Sequence, residues 1–423
     1  MYRFLYSCVF YLALPLLLLR LWQRGRRAPA YRQRIGERFG FASAVHTQQP
    51  LWVHAVSVGE TVAIAPVVQK LLARHPQLQV LLTTSTPTGG QRVADLFANQ
   101  PRVIHQYCPY DFPGAVRRFL RKHRPLGLVV VETELWPNML AQASEQLPVM
   151  LANARLSEKS ASGYAKVAKL TRSMLAHLDL LVAQQEADLE RFVTLGLARK
   201  KGVVNGSIKF DLQVDPSIAE QAALIKQHLG ERPIIVLGSC HEGEERGVLE
   251  QLAQLRACFP DLLLIIVPRH PERFDEVAQL AQQYSSAVLR RSQADPDSAC
   301  EVYIGDTMGE LLLMYALADV AIVGGSFAQR GGQNPIEPAS LAVPVLMGPH
   351  QYNFAEVCRQ LESCEGLTTC ESYAQLGQSL LQMLDNTAAC RRSGEAAKAY
   401  YQSQRGASDR LLVKIEELCI KRR

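Results

Sequence analysis

The chain of 423 residues, 48% of them hydrophobic and 20% charged, has the composition of a globular protein and the length of two domains of about 200 residues each. Its formal net charge of +6 is modest, and the sequence contains neither a zinc-finger spacing nor an RNA-binding motif, so no nucleic-acid partner is expected. The ten cysteines contain no Cys-x-x-Cys pair and fit no common metal-ligand spacing, which argues against a disulfide framework and a metal site and favours a reducing cytosol.

The first element is an almost wholly apolar stretch over residues 4–19, with Pro15 inside it. It is at the short limit for a membrane span, which needs about 20 apolar residues. It is not typical of a secretory signal, because its charge follows the apolar run and no cleavage site comes after it. The arginines that follow suit anionic lipid head groups and would hold the rest of the chain on the cytoplasmic side. They are Arg20, Arg24, Arg26, Arg27, Arg32, Arg34 and Arg38. We therefore predict a membrane anchor or a monotopic insertion over residues 1–33, the alternative being a buried core helix.

Strands and helices alternate through residues 34–212. Strands are predicted at residues 51–57, 79–85, 102–106, 126–131, 148–153, 178–183 and 203–207. Helices are predicted between them, for example over residues 61–74, after a turn at residues 58–60, and from about Gln91. This alternation predicts a parallel sheet with helices on both faces, and the ligands of such sheets bind beyond the carboxyl ends of the strands.

Polar residues at these strand ends are candidates for a site. Glu60 completes the capping-box pattern Ser57-x-x-Glu60, so it is either a helix cap or a catalytic acid or base. Glu132 follows a run of apolar residues and is either a solvated strand end or a site group. Asn153 and Arg155 stand at a similar strand end and are weaker candidates.

The alternating pattern stops near Pro216 and restarts after Pro233, which predicts a domain boundary with a ligand cleft beside it. Lys209, close to that boundary, either neutralises a phosphate or carboxylate or is an ordinary surface lysine. The second domain is predicted over residues 213–423 and has the same α/β pattern. Its strands are predicted at residues 234–237, 262–267, 287–289, 302–304, 319–323 and 344–347, and the chain is predicted to be helical from about Ser372.

The most informative stretch of this half is AIVGGSFAQRGGQNPIEPA at 321–339, which predicts a strand, a glycine-rich loop and a helix start. Asn334 suits the N-cap, Pro335 the first helical position and Glu337 the last position of a capping box. Such a helix start can bind a phosphate, or it can be an ordinary turn and cap.

Three strand ends that contain glycine or proline are predicted at the mouth of this second sheet: Pro268-Arg269, residues 306–310 and residues 324–337. Arg269 is of a type that pairs with a phosphate or stacks on a base. The coincidence of the three predicts a nucleotide site. The G-x-G-x-x-G fingerprint and the Walker A lysine motif are both absent from the sequence, which argues against hydride transfer on NAD and against P-loop phosphoryl transfer.

Two Rossmann-like domains with nucleotide loops in the second resemble the GT-B architecture of glycosyltransferases. Motifs along nearly the whole chain resemble one family more closely, the 3-deoxy-D-manno-octulosonic acid (Kdo) transferases of Gram-negative bacteria. These motifs are HAVSVGET at 54–61, TTSTPTG at 83–89, VETELWPN at 131–138, NARLS at 153–157, NGSIKFD at 205–211, HEGEE at 241–245, VPRHPERF at 267–274, GDTMGEL at 305–311 and GGQNPIEPA at 331–339.

The resemblance implies an inverting transferase of lipopolysaccharide inner-core synthesis that moves Kdo from CMP-Kdo to the lipid A precursor (tetra-acyldisaccharide 4'-phosphate), without a metal or a cofactor. It implies an anchor and basic segment at 1–33, an acceptor domain at 34–212 and a CMP-sugar domain at 213–423, the two domains facing each other across a cleft. It also implies inner-membrane lipids as partners and catalytic domains on the cytoplasmic side of the inner membrane.

Carried onto this chain, the resemblance makes Glu60 the general base and gives Glu132 and Lys209 a supporting role in the transition state. The CMP-contacting residues that it implies are Pro268, Arg269, Met308, Gly309, Glu310, Asn334, Pro335, Ile336 and Glu337. Two residues depart from the family pattern: Cys240 stands where a threonine is common, and Gln333 where a histidine is common. The competing classes are a sugar-nucleotide 2-epimerase and a membrane scaffold. The apolar N-terminus argues against the first, and the charged residues at many strand ends argue against the second.

Overall fold

The computed structural model describes residues 1–41, 48–212 and 214–421. The chain forms two compact units, one of Met1–Asp211 with Arg405–Arg423 and the other of Leu212–Gln404. The predicted start of the second domain at residue 213 lies outside the described residues, as does the side chain of Arg27, one of the arginines predicted to contact lipid.

The apolar N-terminus forms two helices, α1 (Tyr2–Leu12) and α2 (Leu14–Arg27), bent by 49° at the break between them. The break has a physical cause in Pro15, which lacks the N–H that a continuous helix would bond to the carbonyl four residues earlier. In the described part of the chain no single helix has both the length and the apolar composition to cross a membrane, although this bent pair does by length and composition alone. The predicted membrane anchor is therefore not confirmed as a helix that spans the membrane.

Two of the arginines predicted to contact lipid are tied into the fold of the first unit. Arg38 is only 2% exposed, its guanidinium lies over the ring of Tyr107, and its Nη1 donates a hydrogen bond of 3.0 Å to the carbonyl of Ser85. Arg34 forms an ion pair of 2.6 Å with Glu37. Because burial withdraws Arg38 from solvent, the prediction that it contacts lipid head groups is wrong.

The first unit contains a sheet of seven parallel strands in the order β3-β2-β1-β4-β5-β6-β7. The strands are β1 (Leu51–His54), β2 (Val80–Thr84), β3 (Val103–Tyr107), β4 (Leu128–Val131), β5 (Val149–Ala154), β6 (Leu180–Ala183) and β7 (Gly202–Val204). At the centre, Val53 of β1 lies opposite Leu82 of β2 on one side and Val129 of β4 on the other. All seven predicted strands of this half are present, with ends that differ by a few residues.

Helices cover both faces of this sheet, and side chains of the sheet and helices form two apolar clusters, one on each face. The helices are α3 (Val58–Arg74), α4 (Pro87–Leu96), α5 (Pro113–His123), α6 (Pro137–Ser144), α7 (Glu158–Lys166), α8 (Ala168–Ala176) and α9 (Glu186–Thr194). Two of them begin earlier than predicted. Residues 58–60, predicted as a turn, form the first turn of α3 because Ser57 caps the helix. Helix α4 begins at Pro87 and not near Gln91, because Thr86 accepts the N–H of Gly89 as its cap.

The second unit contains a further sheet of seven parallel strands in the order β10-β11-β9-β8-β12-β13-β14. The strands are β8 (Ile234–Cys240), β9 (Leu263–Pro268), β10 (Val288–Arg290), β11 (Val302–Ile304), β12 (Val320–Val323), β13 (Val345–Met347) and β14 (Leu367–Thr369). The edge strand β14 was not predicted, because two of its three residues are threonines and it forms no apolar run. The helices are α10 (Pro216–Leu229), α11 (Glu244–Cys258), α12 (Phe274–Ala281), α13 (Leu311–Leu317), α14 (Ile336–Ser340), α15 (Ala355–Ser363), α16 (Tyr373–Asp385) and α17 (Thr387–Ser403).

The last helix, α18 (Ala407–Ile415), belongs to the first unit. The prediction of one domain over residues 213–423 had placed it in the second. Leu411, Leu412 and Ile415 are buried in the apolar cluster that also contains the buried side of α3. The carboxylate of Asp211 accepts hydrogen bonds from the backbone N–H groups of Gly406 (2.6 Å) and Ser408 (2.5 Å) and so fixes the start of the helix. The C-terminal bound of the predicted second domain is therefore wrong.

Candidate functional site

Glu60 lies in the first turn of α3, directly beyond the carboxyl end of β1. Its carboxylate is held by two donors: the Ser57 hydroxyl reaches Oε1 at 2.9 Å, and the backbone N–H of Val56 reaches Oε2 at 2.7 Å. Its own N–H donates to the Ser57 hydroxyl at 3.4 Å. These bonds form the predicted capping box, and they also fix the position of the carboxylate at the mouth of the sheet.

The environment of Glu60 raises the pKa of its carboxyl to about 7. Burial is the largest cause, and the negative charge of Glu132 is the next. The hydrogen bonds from Val56 and Ser57 oppose this by lowering the pKa, since they stabilise the ionised form. A carboxyl with a pKa near neutrality can accept a proton from a substrate and release it again at cellular pH, which suits a general acid or base.

Glu132 and Lys209 form an ion pair of 2.6 Å in the same unit, with side chains that are 21% and 22% exposed. Glu132 follows β4 with a positive φ of 60°, a strained conformation for a residue with a side chain. Asn153, at the end of β5, also has a positive φ of 53°, and its Oδ1 accepts the N–H of Ile208 at 3.1 Å. The neighbouring strand end therefore holds the turn that carries Lys209, which is not a free surface lysine.

A further carboxylate, Glu134, was not singled out from the sequence although it is two residues from Glu132. The indole N–H of Trp136 donates to its Oε2 at 2.7 Å, and burial raises the pKa of its carboxyl. Its charge also contributes to the raised pKa of Glu60. The sequence Glu-Thr-Glu at the end of a predicted strand could have identified Glu134 as a candidate. The other weak candidate, Arg155, contributes its backbone carbonyl, which accepts the hydroxyl of Thr133.

In the second unit, the glycine-rich loop after β12 is organised by a carboxylate that the sequence did not single out. Glu244, only 1% exposed at the start of α11, accepts the backbone N–H groups of Gly325 (2.7 Å), Phe327 (3.0 Å) and Ala328 (3.1 Å). The base of the loop is closed by the N–H of Gln333, which donates to the carbonyl of Gly324 at 2.9 Å. These three N–H groups are satisfied within the protein and are not available to a phosphate, which was predicted at the helix start that follows the loop.

The helix that follows, α14, begins at Ile336, so Pro335 is its N-cap and not its first residue as predicted. Asn334, predicted as the N-cap, lies one residue before it, although its Oδ1 accepts the N–H of Ile336 at 3.1 Å. Glu337 does not reach back to the backbone but accepts the side-chain amide of Asn334 at 3.2 Å. Burial raises the pKa of Glu337 to about 7, and the charge of Arg269 opposes this rise.

Arg269 follows β9, and its N–H donates to the carbonyl of Cys240 at the end of the adjacent strand β8 at 3.0 Å. Among the residues that the structure describes, its guanidinium makes no hydrogen bond, although it lies close enough to Glu337 to lower the pKa of that carboxyl. Cys240 is fully buried, so it is a core residue and not a ligand contact. Gln333, the other departure from the family pattern, makes a hydrogen bond of 3.0 Å to His241 through its Nε2.

The third predicted segment follows β11. Met308 is 66% exposed, and Gly309 has a positive φ of 89°, so this turn presents an open surface. Glu310 is bound by the guanidinium of Arg291 at 2.8 Å and by the hydroxyl of Thr307, and these hydrogen bonds lower the pKa of its carboxyl. The structure thus brings Arg269, Asn334 and Glu337 together beyond the central strands. The turn over residues 308–310 lies one strand further out in the same sheet.

The chain has two Rossmann-like units with parallel sheets. The first has a glutamate with a pKa of about 7 at a strand end, and the second has a cluster of basic and polar residues at its strand ends. This arrangement defines the GT-B-like class of enzymes. Residues 33–212 match the family described as 3-deoxy-D-manno-octulosonic-acid transferase (kdotransferase). The chain is 38% identical over 421 residues to the 3-deoxy-D-manno-octulosonic acid transferase of Haemophilus influenzae, covering 97% of each chain. It is 38% identical to the enzyme of the same name from Bordetella pertussis, covering 95% of this chain and 96% of that one. The chain therefore belongs to the Kdo transferase family, and it is a glycosyltransferase.

A solved structure of a UDP-GlcNAc 2-epimerase from Neisseria meningitidis, bound to UDP-GlcNAc, has the same fold. It superimposes with a TM-score of 0.59 at 13% identity and covers 88% of this chain and 100% of that one. At this identity the likeness concerns the fold alone.

Proposed function

We propose that the protein transfers Kdo from CMP-Kdo to the lipid A precursor with inversion at the anomeric carbon, in lipopolysaccharide inner-core synthesis. Membership of the Kdo transferase family supports the donor sugar, since the relatives named above carry Kdo transfer in their names. The observation that carries the mechanism is the partly buried carboxyl of Glu60, whose pKa is raised to about 7 at the mouth of the first sheet.

In the proposed reaction, Glu60 takes the proton from the attacking hydroxyl of the acceptor disaccharide. The hydroxyl oxygen forms a bond to the anomeric carbon of Kdo while the bond from that carbon to the CMP phosphate breaks. Positive charge develops on the anomeric carbon and ring oxygen, as in sugar transfer generally. Ser57 and Val56 hold the carboxylate in one orientation, so the base is positioned before the acceptor binds.

Glu132 and Lys209 support this step in different ways. The charge of Glu132 raises the pKa of Glu60 and so makes it a stronger base. Lys209, paired with Glu132 at 2.6 Å, limits that effect and offers a cation to the carboxylate of Kdo or to the departing phosphate.

The donor nucleotide is proposed to bind at the strand ends of the second unit, through the residues at 268–269, 308–310 and 334–337. Arg269 is the group suited to the CMP phosphate, because its guanidinium is not engaged in a hydrogen bond within the described residues. Glu337, which the amide of Asn334 orients at 3.2 Å, is suited to the ribose hydroxyls. Glu310 is paired with Arg291, so its proposed part is to fix the turn at Gly309 rather than to contact the nucleotide with its carboxylate.

The N-terminal helices are proposed to attach the protein to the cytoplasmic face of the inner membrane, where a lipid acceptor is found. Leu12 and Leu16 are 80% and 69% exposed, and the basic segment of α2 follows them. Apolar side chains followed by arginines suit a bilayer surface with anionic lipids.

Mass spectrometry of the tetra-acylated lipid A precursor after incubation with CMP-Kdo and the full-length protein tests the proposal. A mass increase of one or more Kdo residues is expected, and the number of residues added is read from the same spectrum. Thermal stabilisation by CMP but not by UDP is expected in parallel. Stabilisation by UDP alone, with no Kdo product, would instead support the sugar-nucleotide 2-epimerase.

A further inference from the structure

A cavity of about 410 Å³ lies in the first unit, between the N-terminal helix α1 and the helices α5 and α6. It is lined by the apolar or aromatic side chains of Phe4 and Tyr11 and by the polar side chains of Asn138 and Gln142. It lies apart from Glu60, Glu132 and Lys209, which do not line it. The cavity is thus a second concave surface with mixed polar and apolar walls.

Helix α1, which forms one wall of this cavity, is docked on the unit by specific contacts. The buried Ser7 hydroxyl lies within 3.0 Å of the side-chain amide of Asn138, at the start of α6. The ring of Phe112 packs against both Phe10, at 4.8 Å between centroids, and Tyr11, at 4.9 Å. The carboxylate of Asp111 accepts the backbone N–H of Asn138 at 2.9 Å. Helix α1 is therefore a structural part of the unit and forms one wall of a preformed site.

Two arginines line the cavity, Arg3 on α1 and Arg117 on α5. In the described part of the chain, neither guanidinium makes an ion pair or a side-chain hydrogen bond, and both residues are exposed. One carboxylate, that of Glu145, also lines the cavity, so its charged side chains sum to one net positive charge. Two arginines free to donate beside amide groups suit the oxygens of a phosphate.

Beside the cavity runs an exposed apolar surface on α1 and α2. Phe4 is 71% exposed, Leu5 53%, Val9 65% and Leu12 80%. Soluble monomers seldom expose so many large apolar side chains together, and such patches mark a membrane or a partner. A ligand with a phosphate and a hydrocarbon chain would match the arginines and this surface at once.

We propose that the cavity binds the phosphate-bearing head group of an anionic membrane phospholipid, with Arg3 and Arg117 contacting the phosphate and the acyl chains lying along the exposed face of α1. This inference rests on the proposed attachment of the protein to the membrane and names the lipid class that it binds. Head-group binding beside α1 would hold the first unit in one orientation on the bilayer surface.

Flotation with vesicles of phosphatidylcholine, with or without phosphatidylglycerol, tests the proposal on the full-length protein. Wild type is expected to bind the phosphatidylglycerol vesicles more tightly. The double variant Arg3→Ala, Arg117→Ala is expected to lose about tenfold or more of that preference, since each basic residue near an anionic surface contributes several-fold. The matched control is the double variant Arg121→Ala, Lys122→Ala, which removes two charges from exposed residues of α5 that do not line the cavity.

A variant that fills the cavity distinguishes binding in the cavity from general attraction between the basic protein surface and anionic vesicles. Cys8 is exposed and lines the cavity, and Cys8→Trp fills the cavity without changing the charge. Loss of the phosphatidylglycerol preference in this variant, with an unchanged melting temperature, supports the site. Unchanged binding by Cys8→Trp, or equal binding by the cavity double variant and the Arg121→Ala, Lys122→Ala control, overturns it.

Two further experiments identify the ligand that binds in the cavity. If inorganic phosphate displaces the vesicles at the concentration at which short-chain phosphatidylglycerol does, the cavity is a free-anion site and the lipid assignment is wrong. If the cavity double variant binds vesicles normally but has a raised KM for the detergent-dispersed acceptor, the acceptor occupies the cavity. Absence of Kdo transfer by wild type would refute the proposed function alone, because flotation does not depend on catalysis.

Discussion

The ammonium group of Lys209 lies 2.6 Å from the carboxylate oxygen Oε1 of Glu132. The pair connects the turn after β7 with the loop after β4. Through the charge of Glu132 it also acts on Glu60, whose pKa Glu132 raises. We therefore expect Lys209 to affect the base strength of Glu60 through its ion pair with Glu132.

The pH dependence of the reaction should respond to this pair in opposite directions. Glu132→Gln removes a negative charge and should lower the pKa of Glu60, so the acid limb of kcat/KM moves to lower pH. Lys209→Met leaves Glu132 uncompensated and should move the limb to higher pH. Each shift is expected to be about half a unit to one unit. Lys200→Met, at an exposed position, is the control in these pH–rate profiles. Shifts of both variants in one direction would contradict the coupling.

Glu60→Gln should lower kcat by about a hundredfold to ten-thousandfold, as expected when a general base is lost. Binding of CMP, measured by titration calorimetry, should be unchanged because Glu60 lies in the other unit. Glu158→Gln is a matched control, since that carboxylate is on the same unit and its side chain is 87% exposed. Near-normal turnover by Glu60→Gln with normal CMP binding would show that another group is the base.

Arg269→Ala should weaken CMP binding by about tenfold to a hundredfold, because a hydrogen bond to a charged group contributes about 1.5–3 kcal/mol. The KM for the acceptor should not change. Arg246→Ala, at an exposed arginine of the same unit, serves as the control in the same titration. Equal CMP affinities of the two variants would remove Arg269 from the proposed phosphate site.

Glu244→Ala should destabilise the second unit and abolish the stabilisation by CMP. The substitution leaves buried N–H groups of the glycine-rich loop without an acceptor, which costs about 1–3 kcal/mol for each buried group. Differential scanning fluorimetry with and without CMP measures both effects. Glu242→Ala, at the exposed neighbouring position, should leave both unchanged. A variant at residue 244 that melts normally and still responds to CMP would show that the loop does not need this carboxylate.

Leu411→Ala in α18 should destabilise the first unit by about 2–5 kcal/mol, the usual cost of truncating a buried leucine. Leu411 is 0% exposed, whereas Val413 on the same helix is 40% exposed, so Val413→Ala is the control. The three tryptophans of the chain, Trp22, Trp52 and Trp136, all lie in the first unit, so their fluorescence during denaturation reports on that unit. An unchanged midpoint for Leu411→Ala would place α18 outside the cooperative core of this unit.

The sequence by itself determined the features that are local along the chain. Buried parallel strands appear as short apolar runs, so every predicted strand was found, and of the strands in the described residues only the edge strand β14 was missed. The capping box at Ser57 and Glu60 could be read because its partners are three residues apart. The spaced motifs identified the family for the same reason, since each motif is a short continuous stretch.

Only the tertiary structure decided which distant residues meet. Glu244 is 81 residues from Gly325, and no local pattern indicates that its carboxylate accepts N–H groups of the glycine-rich loop. The return of α18 to the first unit depends on where its apolar face finds a partner, which its own periodicity does not specify. The pairing of Lys209 with Glu132 and the near-neutral pKa of Glu60 likewise arise from burial and from charges brought close by folding, because solvation and Coulomb energies depend on distance in space and not along the chain.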